Sequence, residues 1–233
     1  MSGMGRGATR AAVLAEVGDL VALRRAALAR PVLVCVDGVD GAGKTTFADE
    51  LAALLEERGQ WVDRASIDGF HHPQAHRHAA GRTAEAVWTR HFDHPALRRE
   101  LLDPWRSGPG SAYRTVVHDV RTDAYVDTAP RLVPEDGVLI VDGVFAQRPE
   151  LADAWDLAIF LEVPFEVSVP RMAARDGTVD DLDHPDQRRY ADAQRHYRTA
   201  CRPQARAHVV VQNADLDRPR IVAVRPPGPR PAG

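Results

Sequence analysis

Lysine is almost absent from this chain. Of its 30 lysines and arginines only Lys44 is a lysine, so 29 are arginine. Cysteine is nearly as scarce. Cys35 and Cys201 are the only two, too few for a disulfide framework and too isolated for a zinc motif. No apolar run approaches the roughly 18 residues that a membrane span needs. Charge of one sign is not in excess: the formal net charge is −3 over 233 residues, without the basic surplus of a nucleic-acid binder. The first 30 residues lack a continuous apolar core, so no secretory signal is expected. These absences point away from a disulfide scaffold, a membrane protein and a nucleic-acid partner. A cytoplasmic, reducing location is expected.

The one lysine lies in Gly38-Val39-Asp40-Gly41-Ala42-Gly43-Lys44-Thr45. An ammonium is a compact point charge on a flexible stem, whereas a guanidinium is a wide planar fork. Only the first fits easily inside a glycine loop wrapped around phosphates. The segment matches G-x-x-x-x-G-K-[ST], the phosphate-binding loop, at every position. Its flanks agree. Pro31–Asp37 is a short apolar, β-branched run that reads as a buried strand, and Phe47, Leu51, Leu54 and Leu55 recur at helical spacing up to Gly59. Backbone N–H groups of Gly38, Asp40, Gly41, Ala42 and Gly43, with Lys44, Thr45 and Thr46, are the expected cradle for a nucleoside triphosphate. The Thr45 hydroxyl is an expected Mg²⁺ ligand.

The rest of the chain alternates. Predicted strands are Trp61–Ile67, Tyr113–Val120, Gly137–Val141, Leu157–Val163 and His208–Gln212. Predicted helices are Ala84–His91, Pro95–Leu102, Phe165–Arg175 and a long polar one over about His184–Arg206. This alternation implies an α/β fold, a three-layer phosphate-loop domain with a mainly parallel sheet and a small helical lid. Val13, Val17, Leu20, Val21 and Leu28 mark one face of an amphipathic helix in residues 1–30. Residues 31–222 form the expected kinase domain, with the lid over about 171–189. The Pro/Gly-rich stretch 223–233 is expected to be a disordered tail.

The loop alone implies nucleotide binding. The guanine-reading [NT]-K-x-D box needs a second lysine, so a switch GTPase of that type is excluded. A kinase needs a carboxylate for the acceptor hydroxyl and cations over the transferring phosphoryl group. Asp68, leaving the second strand, is the expected catalytic carboxylate. Asp142, after Val138-Leu139-Ile140-Val141, is the expected second metal-supporting group. Arg171 and Arg175 share a helix face four residues apart and head an acidic stretch, as in a closing lid.

These residues resemble the uridine kinase (uridine–cytidine kinase) branch of the phosphoribulokinase/uridine kinase superfamily, from about Val32 to Val211. The glycine loop, Asp68-Gly69-Phe70-His71, Phe92-Asp93-His94-Pro95, the Tyr113/His118 pair and Arg171-x-x-x-Arg175-Asp176 carry the resemblance. It implies ATP and Mg²⁺ as cofactors and a pyrimidine nucleoside as acceptor. It also implies Asp68 on the 5′-hydroxyl and Asp93 on the ribose, with Phe70, His71, Tyr113 and His118 around the base. A homo-oligomer is compatible with this family. The sequence departs from it at Asp142-Gly143, where Glu-Gly is commoner, and in a lid with few arginines. A clustered His71, His72, His76 and His78 also admits a zinc reading, although the resemblance assigns His71 to the substrate pocket. Another small alcohol as acceptor, or a non-catalytic ATP-binding module, are the alternative readings.

Overall fold

The computed structural model describes residues 9–226. Helix α1 (Arg10–Leu28) begins at Thr9, whose side chain accepts from the Ala12 N–H, a polar residue closing an otherwise open helix end. Strand β1 (Val32–Gly38) feeds the glycine loop and α2 (Lys44–Glu57). β2 (Val62–Ser66) leads into a 3₁₀ turn at Ile67–Phe70, then the short helices α3 (Gln74–His78), α4 (Ala84–Arg90) and α5 (His94–Leu97). A π turn at Arg98–Leu102 joins α5 to α6 (Asp103–Ser107). Four two-residue strands follow, β3 (Ala112–Tyr113), β4 (His118–Asp119), β5 (Ala124–Tyr125) and β6 (Arg131–Leu132). The main sheet resumes with β7 (Val138–Gly143) and β8 (Leu157–Glu162). Next come α7 (Phe165–Asp176), α8 (Pro185–Cys201), α9 (Pro203–Arg206), β9 (Val209–Gln212) and β10 (Arg220–Val224).

The six-stranded sheet has the order β10-β9-β8-β1-β7-β2, parallel throughout except for the edge strand β10. β1 lies between β7 and β8, and every one of its residues is buried, as both faces of a parallel sheet are covered. The two-residue period of a strand divides its side chains between two cores. Val32, Val34 and Val36 meet Val13, Val17, Val21, Phe47, Leu51 and Leu55 from α1 and α2. Leu33 and Cys35 face the opposite core with Phe92, Trp105, Phe145 and Tyr197. The amphipathic face expected in the first 30 residues is thus a packed one, with Leu20 and Leu28 at its margin.

Several expected boundaries move. Tyr113–Val120 is not one strand: its ends pair in two separate ribbons, Tyr113 with Arg131 and His118 with Tyr125. The long polar helix stops at Cys201 because Arg202 is left-handed, with φ 50°, and Pro203 restarts a single turn. The expected domain end at 222 falls inside β10, which pairs antiparallel with β9 through Ala223 and Val224. Most of the expected tail, residues 227–233, lies outside the described residues, as do residues 1–8 of the N-terminal segment.

Candidate active site

The glycine loop is tight because of what packs on it. Gly41 has φ +74°, and a Cβ there would stand 2.1 Å from the Ser168 carbonyl oxygen of α7. No other residue fits. Gly43, at φ +83°, is the left-handed entry to α2, a conformation glycine adopts without steric cost. Asn213, just past β9, donates from Nδ2 to the Ala42 carbonyl at 2.8 Å and is fully buried. Lys44 Nζ donates to the Val39 carbonyl at 2.9 Å and lies 3.9 Å from Asp40 Oδ1. The cation is held within its own loop.

Two oxygen groups converge beside it. Thr45 Oγ1 donates to Asp142 Oδ2 at 2.7 Å, while Arg64 Nη2 holds Asp142 Oδ1 at 2.9 Å. Ser66 ties the next segment to the same strand end, since its hydroxyl donates to the Asp142 carbonyl and accepts from the Asp68 N–H. Ser66 is the register partner of Asp142, so Asp68, two residues on in the 3₁₀ turn, emerges beside that strand end. One cavity is lined by Asp40, Lys44, Thr45, Asp68, Asp142 and Arg175. A second, of about 210 Å³, shares Asp68 and Arg175 and is walled by His71, His91, Phe92, Phe145 and Tyr190. Asp68 is the carboxylate at their junction. Asp68 is exposed at the cavity mouth, and the protein crowded around its carboxyl raises it above the usual 3.8. Asp40 and Asp142 push it further up, against His71 and Lys44.

The structure sorts the remaining sequence candidates. His71 lines the second cavity, with Nδ1 2.8 Å from the Asp68 carbonyl and its ring on Phe92. Arg175 borders both cavities and forms a two-point ion pair with its neighbour Asp176. Arg171 departs from expectation. Its guanidinium binds the carbonyls of Asn213 and Ala214, bracing the loop after β9. Phe70 and Tyr113 depart as well. Both are core residues, and the Tyr113 hydroxyl donates to Asp63 at 2.6 Å while its ring meets Trp105. Asp93 caps α5 by accepting from the Ala96 N–H, with its other oxygen 3.8 Å from His72. His118 is buried with both ring nitrogens unpartnered, Nε2 lying 3.5 Å from Asp123. Among the described residues no group of three or more His, Cys, Asp or Glu is gathered as a metal centre.

Sequence reasoning missed Arg64, Asn213, Gln194 and His91. Arg64, Asn213 and Gln194 each act through a partner that is distant in the chain. Only the position of Asn213, directly after a strand, carried a readable cue. His91 is 3% exposed, with Nε2 unpartnered, and burial lowers its pKa from 6.5 to about 3. Below pH 6.5 the unfolded chain therefore takes up a proton that the native imidazole refuses. The native contribution is complete above pH 6.5 and declines as pH falls towards 3. His91→Gln is expected to reduce the stability lost between pH 7.5 and pH 5 by about 1–2 kcal/mol. Urea unfolding at the two pH values checks this, and an unchanged pH dependence refutes it.

No family model matches the chain. Over 152 residues it is 25% identical to a uridine kinase of Ureaplasma parvum serovar 3, covering 63% of this chain and 69% of that one. Its fold matches a protein described as a possible uridine kinase from Bacillus stearothermophilus, with TM-score 0.62 and 22% identity. That match covers 84% of this chain and 98% of the other. A candidate fructose transport system kinase from Silicibacter sp. TM1040 matches with TM-score 0.62 and 25% identity, over 78% of this chain and 94% of that one. Fold, glycine loop and relatives together define a P-loop phosphotransferase. Within that class the resemblance is to the uridine kinase family.

Proposed function

We propose that this protein is an ATP- and Mg²⁺-dependent kinase that phosphorylates the 5′-hydroxyl of a pyrimidine nucleoside, uridine or cytidine. The observation that carries the reading is the position of Asp68, on the wall shared by the phosphate-loop cavity and an aromatic-lined cavity. The acceptor hydroxyl would reach Asp68 from the second cavity, and the γ-phosphate would lie along Lys44 in the first. Asp68 accepts the hydroxyl proton as the oxygen attacks the γ-phosphorus and the bond from that phosphorus to the β–γ bridging oxygen breaks, with ADP as the leaving group. Lys44 and Arg175 face the charge on the transferring group, which is the main task of a phosphoryl-transfer site. The Thr45 hydroxyl and Asp142 carboxylate, 2.7 Å apart, form the hard-oxygen set that suits Mg²⁺. Bound there, the ion would neutralise β- and γ-phosphate charge. Arg64 keeps Asp142 oriented.

Tyr190 is the ring available to a flat base, Phe92 and Phe145 back the cavity from the core, and His71 supplies a polar edge. Asp93 keeps an oxygen outside its capping bond and is the proposed ribose contact. No helix among the described residues is long and apolar enough to cross a membrane. A second reading, transfer to a different small alcohol, is favoured by one observation: Phe70 and Tyr113 are core residues, so the family's base contacts are not all reproduced. A panel of nucleosides, sugars, sugar phosphates and hydroxy acids in a coupled ADP-release assay separates the two. Uridine or cytidine is expected to give the highest kcat/KM, at least about tenfold above non-nucleoside acceptors. Turnover of only a non-nucleoside would overturn the nucleoside assignment.

A further inference from the structure

Asp40 has an unusual position for an acidic side chain. It lines the phosphate cavity, the acceptor cavity and a third cavity beneath residues 177–184. A carboxylate inside a phosphate-binding loop opposes its ligand unless something restrains it. Here the restraint is Gln194 of α8. The Asp40 N–H donates to Gln194 Oε1 at 3.0 Å, and Gln194 Nε2 donates back to Asp40 Oδ2 at 2.8 Å. Both polar atoms of a side chain only 4% exposed thus serve this one residue. The free oxygen, Oδ1, remains 3.9 Å from Lys44 Nζ.

The same helix has two other attachments. Gln187, seven residues earlier, donates to the Thr178 hydroxyl and the Val179 carbonyl at 3.0 Å each. Tyr197, three residues later, donates to the buried Asp37 and accepts from the Gln147 N–H at 2.9 Å. Spacings of seven and three put all three side chains on one helix face. One rigid element therefore holds the 177–184 segment, the phosphate loop and the end of β1.

We propose that Gln194 is a positioning residue for the nucleotide phosphates. It holds Asp40 at 3.9 Å from Lys44, short of a close ion pair, so that a phosphate competes only with the Val39 carbonyl for the ammonium while α8 is docked with the segment it anchors. Without the amide, the Asp40 carboxylate swings the short distance to Lys44 and competes with the nucleotide for the only lysine. The inference rests on the nucleotide half of the kinase reading and is independent of the acceptor.

Direct calorimetric titration with Mg-ATP, without acceptor, tests it. Gln194→Ala and Gln194→Glu are expected to weaken binding by about tenfold or more, the usual scale for losing a charge-assisted hydrogen bond. The double variant Asp40→Asn/Gln194→Glu reverses the polarity of the pair. The new glutamate accepts from the residue-40 N–H and from the asparagine amide, and the asparagine cannot pair ionically with Lys44. This variant is expected to bind within about threefold of wild type. Thermal midpoints of the single variants should not track their affinity losses. Wild-type affinity in both single variants, or a double variant no better than Gln194→Glu, overturns the proposal. If Gln194→Glu does not fold, the comparison of Gln194→Ala with the double variant decides. Wild-type protein that binds no Mg-ATP defeats this proposal together with the kinase reading. Failure with uridine and cytidine alone touches only the acceptor assignment.

Discussion

Asp68→Asn is expected to lower kcat by about a thousandfold while Mg-ATP affinity changes by less than about threefold. The split follows from placement. Asp68 borders the phosphate cavity, yet on the proposed reading the nucleotide is held by Lys44 and by loop N–H groups, without Asp68. Asparagine keeps the size of the side chain and its backbone bond to Ser66 but cannot accept a proton. Loss of turnover with intact affinity therefore separates a base from a ligand contact, and single-turnover kinetics beside nucleotide titration measures both. Equal loss of both contradicts the role. The raised Asp68 carboxyl adds a pH signature. A base must be ionised, so activity falls on acidification from a point above the usual 3.8 of aspartate. The acid limb of kcat/KM should vanish in the residual activity of Asp68→Asn.

Lys44→Arg keeps the charge and is expected to lower kcat/KM by about a hundredfold or more. The Lys44 ammonium sits in a loop with no slack. Ser168 presses on Gly41, Asn213 fixes the Ala42 carbonyl, and Gln194 fixes Asp40. A planar guanidinium needs a wider opening and would seek both Asp40 and the Val39 carbonyl. The melting temperature should remain within a few degrees of wild type, because Lys44 is a loop cation and not a core residue. An arginine variant with full activity would show that shape is irrelevant at this position. It would also remove the physical reason for the chain's single lysine.

These two residues were readable because their surroundings are local. A glycine loop between a buried strand and a helix is fixed by residues adjacent in sequence, and Asp68 and Asp142 each follow a strand that the hydrophobic pattern reveals. The parallel sheet places those strand ends side by side, so the register β1–β7–β2 turns three separate readings into one site. Legibility failed where a side chain had two uses. Tyr113 has the family's spacing to His118, but two short ribbons replace the expected strand and turn its ring into the core. Arg171 lies one helical turn from Arg175, yet it binds carbonyls forty residues downstream.

The sequence by itself determined the phosphate loop, its one ammonium, the main parallel strands with the longer helices between them, and the two carboxylates at strand ends. Those follow from local stereochemistry and from periodicity. Tertiary structure alone decided which aromatic rings line the acceptor cavity and which arginine faces it. It also decided that Gln194, 154 residues from Asp40 in the chain, restrains the loop. Such contacts depend on how packed elements meet, and a polar side chain's partner is set by the nearest unsatisfied group in space, not along the chain.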